Sequence, residues 1–364
     1  MLIEPGTASA NVIASKGLDL IERGHLEASH FVDGYRGVAA YLCVWTPPEI
    51  LRAGGYHPVL LKGRQKTSAN GNKMCYRVHS VAELIDSAHY LEDLKMIALP
   101  DTCQSLLRTA KRVAEMRELR IFCIEEPCTQ NDECLRKYVH QLGWLRDYVS
   151  DGMTAEEFDR RLVNTVALYS RMREMLMALR GTDIPSDVFY VLTAASTAAP
   201  PELVLPLLDL AASQYTGQPA KGPRIMLVGA PCWLDEWEVA SMIEQAGASV
   251  GADLLCTSGR LSGTVHSQPG SSPFYNVAIE YFNRVPCLPI EPNTRFYEEM
   301  EKLIASAEIR GIVYMSPGGC SAYSAEKERL VLQSSVPVFT LDPDFFNATE
   351  EIRVASLRSF VTGL

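Results

Sequence analysis

The chain has 364 residues, 47% of them hydrophobic and 21% charged, enough apolar material for two or three compact units. Its 44 acidic residues against 34 basic ones give a formal charge of -10, which offers no basic stripe to a phosphate backbone and argues against a nucleic-acid partner. No apolar run reaches the roughly 18–20 residues that span a bilayer, and the opening MLIEPGTASANVIASKG lacks the basic-then-apolar order of an export signal. A cytoplasmic location with no membrane partner is therefore expected.

In chain order, VAAYLCV (38–44), HPVLL (57–61), MIALP (96–100) and RIFCIE (120–125) are short apolar runs, each followed by a polar turn and an amphipathic stretch. That is the βα pattern of a parallel sheet. From Glu133 to about Gln214 the strand pattern stops, and stretches such as AEEFDRRLVNTVALYSRMREMLMALR place apolar residues at helical spacing. After the linker-like QYTGQPAKGP (214–223) the alternation resumes in RIMLVG (224–229), SVGADLLC (249–256), GIVYMS (311–316) and VPVFTLD (336–342), with a closing helix near EIRVASLRSFV. The expected fold is α/β, with two Rossmann-like (flavodoxin-like) parallel-sheet domains joined by a helical segment. The division predicted is an N-terminal α/β domain over 1–130 with Cys75 and Cys103, a helical connector over 131–216, and a C-terminal α/β domain over 217–364 with Cys320.

Ten cysteines in a chain expected to stay in a reducing compartment are thiols, metal ligands or small buried hydrophobes. Two have a positional argument for chemistry. Cys103 follows MIALP and the pair Asp101-Thr102 and opens the helix CQSLLRTAKRVAEMR; Cys320 follows GIVYMS and Pro317-Gly318-Gly319 and opens SAYSAEKERLVLQ. Helix N-termini at the carboxyl ends of parallel strands favour thiolates and cluster sulfides. Cys75 lies in the polar loop TSANGNKMCYRVHS, with the freedom to reach the same crevice. These three are far apart in sequence, unlike a CxxC cluster, so spacing alone does not identify a metal site. Cys128 and Cys134 in EEPCTQNDEC compete as ligands of a separate metal, although their acidic neighbours disfavour a thiolate.

The turn Trp45-Thr46-Pro47-Pro48-Glu49 ends the first strand and faces the crevice of Cys103. Glu49 is a candidate general base or substrate-orienting group, and Trp45 with Thr46 a candidate acyl pocket. The plainer alternative is a helix-dipole role for Glu49 and core packing for Trp45. His79, four residues beyond Cys75, either hydrogen-bonds near the same place or lies on a helix surface. No GxGxxG, GxxxxGK(S/T) or GxSxG motif occurs, so nicotinamide, ATP and serine-hydrolase sites are not predicted.

Three segments share a likeness. GYRGVAAYLCVWTPPEILRAGGYHPVLLKG, LPDTCQSLLR (99–108) and IMLVGAPCWLDEWEVASMIEQAGASVGADLLCTSGR (225–260) resemble the small subunit of the 2-hydroxyacyl-CoA dehydratase family, which includes class I benzoyl-CoA reductase subunits. The resemblance covers nearly the whole chain. It implies one 4Fe-4S cluster per subunit, held here by Cys75, Cys103 and Cys320, with one iron left open to water or a carbonyl oxygen. It also implies a homologous larger subunit in a heterodimer, an ATP-dependent iron–sulfur activator protein, and an acyl-CoA thioester that loses water through a ketyl radical. Around the third cysteine the sequence reads MSPGGCSAYSAE, where many small subunits carry Phe-Cys-Asp-Pro. A benzoyl-CoA reductase-type subunit, or an electron-transfer protein with no substrate site, are the alternative readings.

Overall fold

The computed structural model describes residues 5–26, 31, 34–62, 75–86, 91, 93–101, 103–127, 129–218, 222–266, 270–316 and 318–364. Two four-stranded, all-parallel sheets form. The first contains β1 (Val38–Tyr41), β2 (His57–Leu60), β3 (Leu94–Pro100) and β4 (Arg120–Ile124), in the order β2-β1-β3-β4. The second contains β5 (Arg224–Gly229), β6 (Ser249–Leu255), β7 (Ile309–Met315) and β8 (Val338–Leu341), in the order β6-β5-β7-β8. The two halves therefore repeat one topology, the doubly wound order whose crevice lies beyond the carboxyl ends of the first and third strands.

Every apolar run read as a strand forms one. β1 is shorter than its run, and Cys43 lies past its end rather than within it: the chain turns there, with the Thr46 N–H bonded to the Cys43 carbonyl at 3.1 Å. Central strands such as β1 and β7 are buried on both faces, which is why their sequences are continuously apolar instead of alternating.

Between the sheets run α5 (Asp132–Val149), α6 (Ala155–Arg180), α7 (Ser186–Ala198) and α8 (Pro201–Gln214). Asn131 and Thr154 cap α5 and α6, each side-chain oxygen accepting a backbone N–H of the first turn. Helix α1 (Pro5–Leu26) packs on α7 and α8, and α7 in turn packs on α9 (Glu236–Gln245) of the second half. Helices α2 (Pro48–Ala53) and α10 (Pro273–Phe282) both pack on α5 and α6. Helix α6 thus feeds two cores, with Phe158 and Leu162 in the core of the first sheet and Tyr169 and Met172 in that of the second. No helix among the described residues is long and apolar enough to cross a membrane.

Candidate functional site

Segments leaving the strand ends of the two halves meet along one seam. Lys62, just past β2, is ion-paired at 2.7 Å with Glu236 at the start of α9, whose other oxygen accepts from the Thr257 hydroxyl just past β6, also at 2.7 Å. Burial pushes the Glu236 carboxyl up, but the Lys62 charge outweighs it and holds the group below its ordinary value. Trp233, beyond β5, meets the rings of Tyr76 and His79 edge-on, at 5.4 and 5.2 Å between centroids. Those two residues begin α3 (Tyr76–Asp86), the helix that Cys75 precedes.

Three cysteines stand at helix N-termini here. Cys75 precedes α3, Cys103 caps α4 (Gln104–Arg117) and Cys320 caps α12 (Ser321–Gln333). Cys103 and Cys320 occupy equivalent places in the repeat, each after the third strand of its half. The turn into α12 passes close under Trp233, and Gly318 (φ +57) and Gly319 (φ +61) adopt the left-handed conformation it requires; a Cβ on Gly318 would lie 3.1 Å from the indole Nε1.

Cys75 and Cys320, 245 positions apart (320 minus 75), come close enough for each thiol to shift the titration of the other. Cys75, helped by the backbone N–H groups of Tyr323 and Ala322 and opposed by burial, brings Cys320 down to about 6. Cys320, followed by burial, drives Cys75 upward. Cys103 is half-buried, accepts the Leu106 N–H at 3.4 Å, and packs with Cys75 against the apolar cluster of the first sheet. Cys103 Sγ accepts a helix N-terminal N–H, and the first backbone N–H groups of α3 and α12 lower Cys75 and Cys320, an environment suited to thiolates and to the sulfides of a cluster. Among the described residues, no three His, Cys, Asp or Glu side chains gather as one metal ion would require.

Glu49, at the start of α2, is fully buried. Its Oε1 accepts from Arg173 Nη1 and its Oε2 from the Tyr281 hydroxyl, each at 2.6 Å, while Arg173 Nη2 reaches Tyr281 at 2.8 Å. Burial works against its charge, yet Arg173 and then Arg284 hold the carboxyl below its usual range. Both oxygens being engaged, the group ties α2 to α6 and α10. Trp45 is buried edge-on to Tyr138, accepts that tyrosine's hydroxyl on its carbonyl at 2.6 Å, and lines a hollow of about 270 Å³ with Phe282, Arg284 and Arg295. Thr46 is buried, and its hydroxyl has no hydrogen-bond partner among the described residues. His79 lies 3.7 Å from Glu83 and against Trp233. Cys134 contacts the Thr129 hydroxyl at 3.2 Å; Cys128, its companion in the sequence reading, lies outside the described residues.

A family model for the 2-hydroxyglutaryl-CoA dehydratase D-component matches residues 43–358. The chain belongs to this family. The match runs from the turn after β1 into α14 (Glu350–Thr362), so it takes in β2 to β8, the helical segment and all three cysteines. The family's description puts its members among components of 2-hydroxyacyl-CoA dehydratases. No curated protein is matched by the chain.

Sequence reasoning did not single out Arg77, Glu126, Arg173, Arg260 or Tyr323, all of which contribute to the seam. Arg260 closes the segment DLLCTSGR, and Arg77 stands two residues from Cys75; proximity to those cysteines was the available signal.

Proposed function

We propose that this chain is the cluster-bearing small subunit of a 2-hydroxyacyl-CoA dehydratase, with Cys75, Cys103 and Cys320 holding a 4Fe-4S cluster at the seam. The observation that carries the reading is the approach of Cys75, at the start of α3, to Cys320, at the start of α12, within a chain of the D-component family. Held by Cys75, Cys103 and Cys320, such a cluster would supply a low-potential electron. Elimination of water from a 2-hydroxyacyl-CoA otherwise requires removal of a poorly acidic β-proton; one added electron would give a ketyl radical anion that expels hydroxide, the β-proton of the resulting radical would then be acidic enough to leave, and the electron would return to its donor, so that only water is lost.

The chain's own residues prepare the place. N–H groups of α3, α4 and α12 stabilise negative charge on the three sulfurs. The Lys62–Glu236–Thr257 and Glu49–Arg173–Tyr281 links hold the strand ends together and keep water out, which strengthens every charge interaction inside. Glu49 positions α2 in this reading, and Trp45 with Thr46 lines the approach for an acyl group. The absence of a phosphate-loop motif accords with an electron delivered by a separate ATP-dependent activator, and a homologous larger subunit completes the heterodimer.

Anaerobic reconstitution with iron and sulfide tests this. The wild-type chain is expected to bind about four iron atoms with a matching EPR signal on reduction. Cys75→Ser, Cys103→Ser and Cys320→Ser are each expected to lose the signal. Undiminished iron in the triple variant would overturn the assignment.

A further inference from the structure

Several buried nitrogens on the seam have no hydrogen-bond partner among the described residues. Arg77 Nη1, in the first turn of α3, is one, and Arg260 Nη2, in the turn after β6, is another. Arg260 is 4% exposed, and its Nε donates to the Val285 carbonyl at 3.0 Å, which fixes the guanidinium plane. The two guanidinium groups lie within electrostatic reach of the same four side chains: Cys43, Glu126, Cys256 and Tyr323. Of these, the Cys43 thiol donates to Glu126 Oε1 at 2.9 Å, and the Tyr323 hydroxyl meets Cys287 Sγ at 3.1 Å. Among the described residues, Glu126 is the carboxylate that faces both cations, with Asp101 next to it. A buried N–H that the protein does not meet costs its full desolvation, and two like charges in a low-dielectric interior repel. Such an arrangement is tolerated where donors are preformed for a ligand.

We propose that Arg77 and Arg260 form a binding site for a small monoanionic carboxylate, beside the Cys75–Cys320 pair and walled by the thiols of Cys43, Cys256 and Cys287. With Glu126 already facing both guanidinium groups, a monoanion suits the place better than a dianionic phosphate. The planar guanidinium fork matches the two oxygens of a carboxylate. A cleft of about 530 Å³, lined by Arg260, Arg284 and Arg295, provides the approach. The site stands on these side chains and does not depend on the cluster.

Titration calorimetry of the anaerobic full-length chain with sodium acetate, chloride making up constant ionic strength, tests it. Saturable acetate binding is expected, weakened about tenfold or more by Arg260→Gln and by Arg77→Gln, with Arg77→Lys retaining only part because it keeps the charge and loses the fork. Succinyl-CoA competing with acetate where butyryl-CoA does not would identify an acyl-borne carboxylate as the source; competition by neither would leave free carboxylic acids. Acetate binding no better than chloride, equal binding in the variants, or tighter binding of inorganic phosphate would overturn the proposal. Iron content is measured on the same samples. Variants that keep their iron but lose acetate separate this site from the cysteines, whereas variants that lose iron and still bind acetate would refute it.

Discussion

Glu49 is engaged by cations and hydroxyls from two other elements, and this decides what its removal does. In Glu49→Ala the buried Arg173 charge loses its main partner, and such a loss costs about 3–5 kcal/mol. Urea unfolding is expected to show that loss, with much of it recovered in the Glu49→Leu/Arg173→Met double variant, where neither charge remains. His57 makes a pH prediction. It is 1% exposed on β2, its Nε2 is 3.0 Å from the Ala198 carbonyl, and burial, with smaller effects of Arg52 and His25, lowers it to about 4. Between pH 6.5 and about 4 the unfolded chain binds a proton that the folded chain does not, so stability falls as pH falls through that window. The contribution is about 3 kcal/mol across the window and is expected to be absent from the same denaturation series on His57→Gln. At this scale the sequence was only partly legible. Cys103 and Cys320 could be placed because an apolar run followed by a helical pattern locates a strand end and a helix start. The partners of Glu49 could not, because Arg173 and Tyr281 lie 124 and 232 residues away, and periodicity reports which way a side chain faces but not what it meets.

Strands and helices were the most legible level, since a two-sided buried strand is a continuous apolar run and eight such runs became eight strands. Strand order was less accessible: nothing local in β5 says that it lies between β6 and β7. Its last residue marks that place in hindsight. Gly229 (φ +129) passes so close to β7 that a Cβ would stand 2.1 Å from the Met315 carbonyl oxygen, which is backbone and cannot step aside. Gly229→Ala is expected to destabilise by about 2 kcal/mol or more, seen as a lowered melting temperature, whereas alanine at the half-buried helical Gly143, where no atom lies within 4 Å, is expected to be neutral or stabilising. The loop before Cys75 was legible only as polar sequence, and the placement of that cysteine came from family likeness instead of from pattern.

At the scale of the whole molecule, hydrophobic cores are shared between the sheets and the helices that separate them in sequence. One core joins α1 and α6–α8 to the second sheet, and another joins the first sheet to α5, α6 and α10. Buried ion pairs cross between the same parts, Lys62 with Glu236 and Arg180 with Asp253. Shared cores couple unfolding, so scanning calorimetry is expected to give one cooperative transition rather than three. Separate transitions would show that the helices and sheets are independent after all.

The approach of Cys75 to Cys320 also bears on how the protein is made. Cys75 leaves the ribosome 245 residues before its partner, an interval of roughly 10–50 s at 5–20 residues per second. Throughout that time the first half exists without the second, its early thiols exposed to oxidants and stray metals. A site that draws on residues 75 and 320 is finished only once the second of them has been made, and anything both cysteines hold is acquired after that.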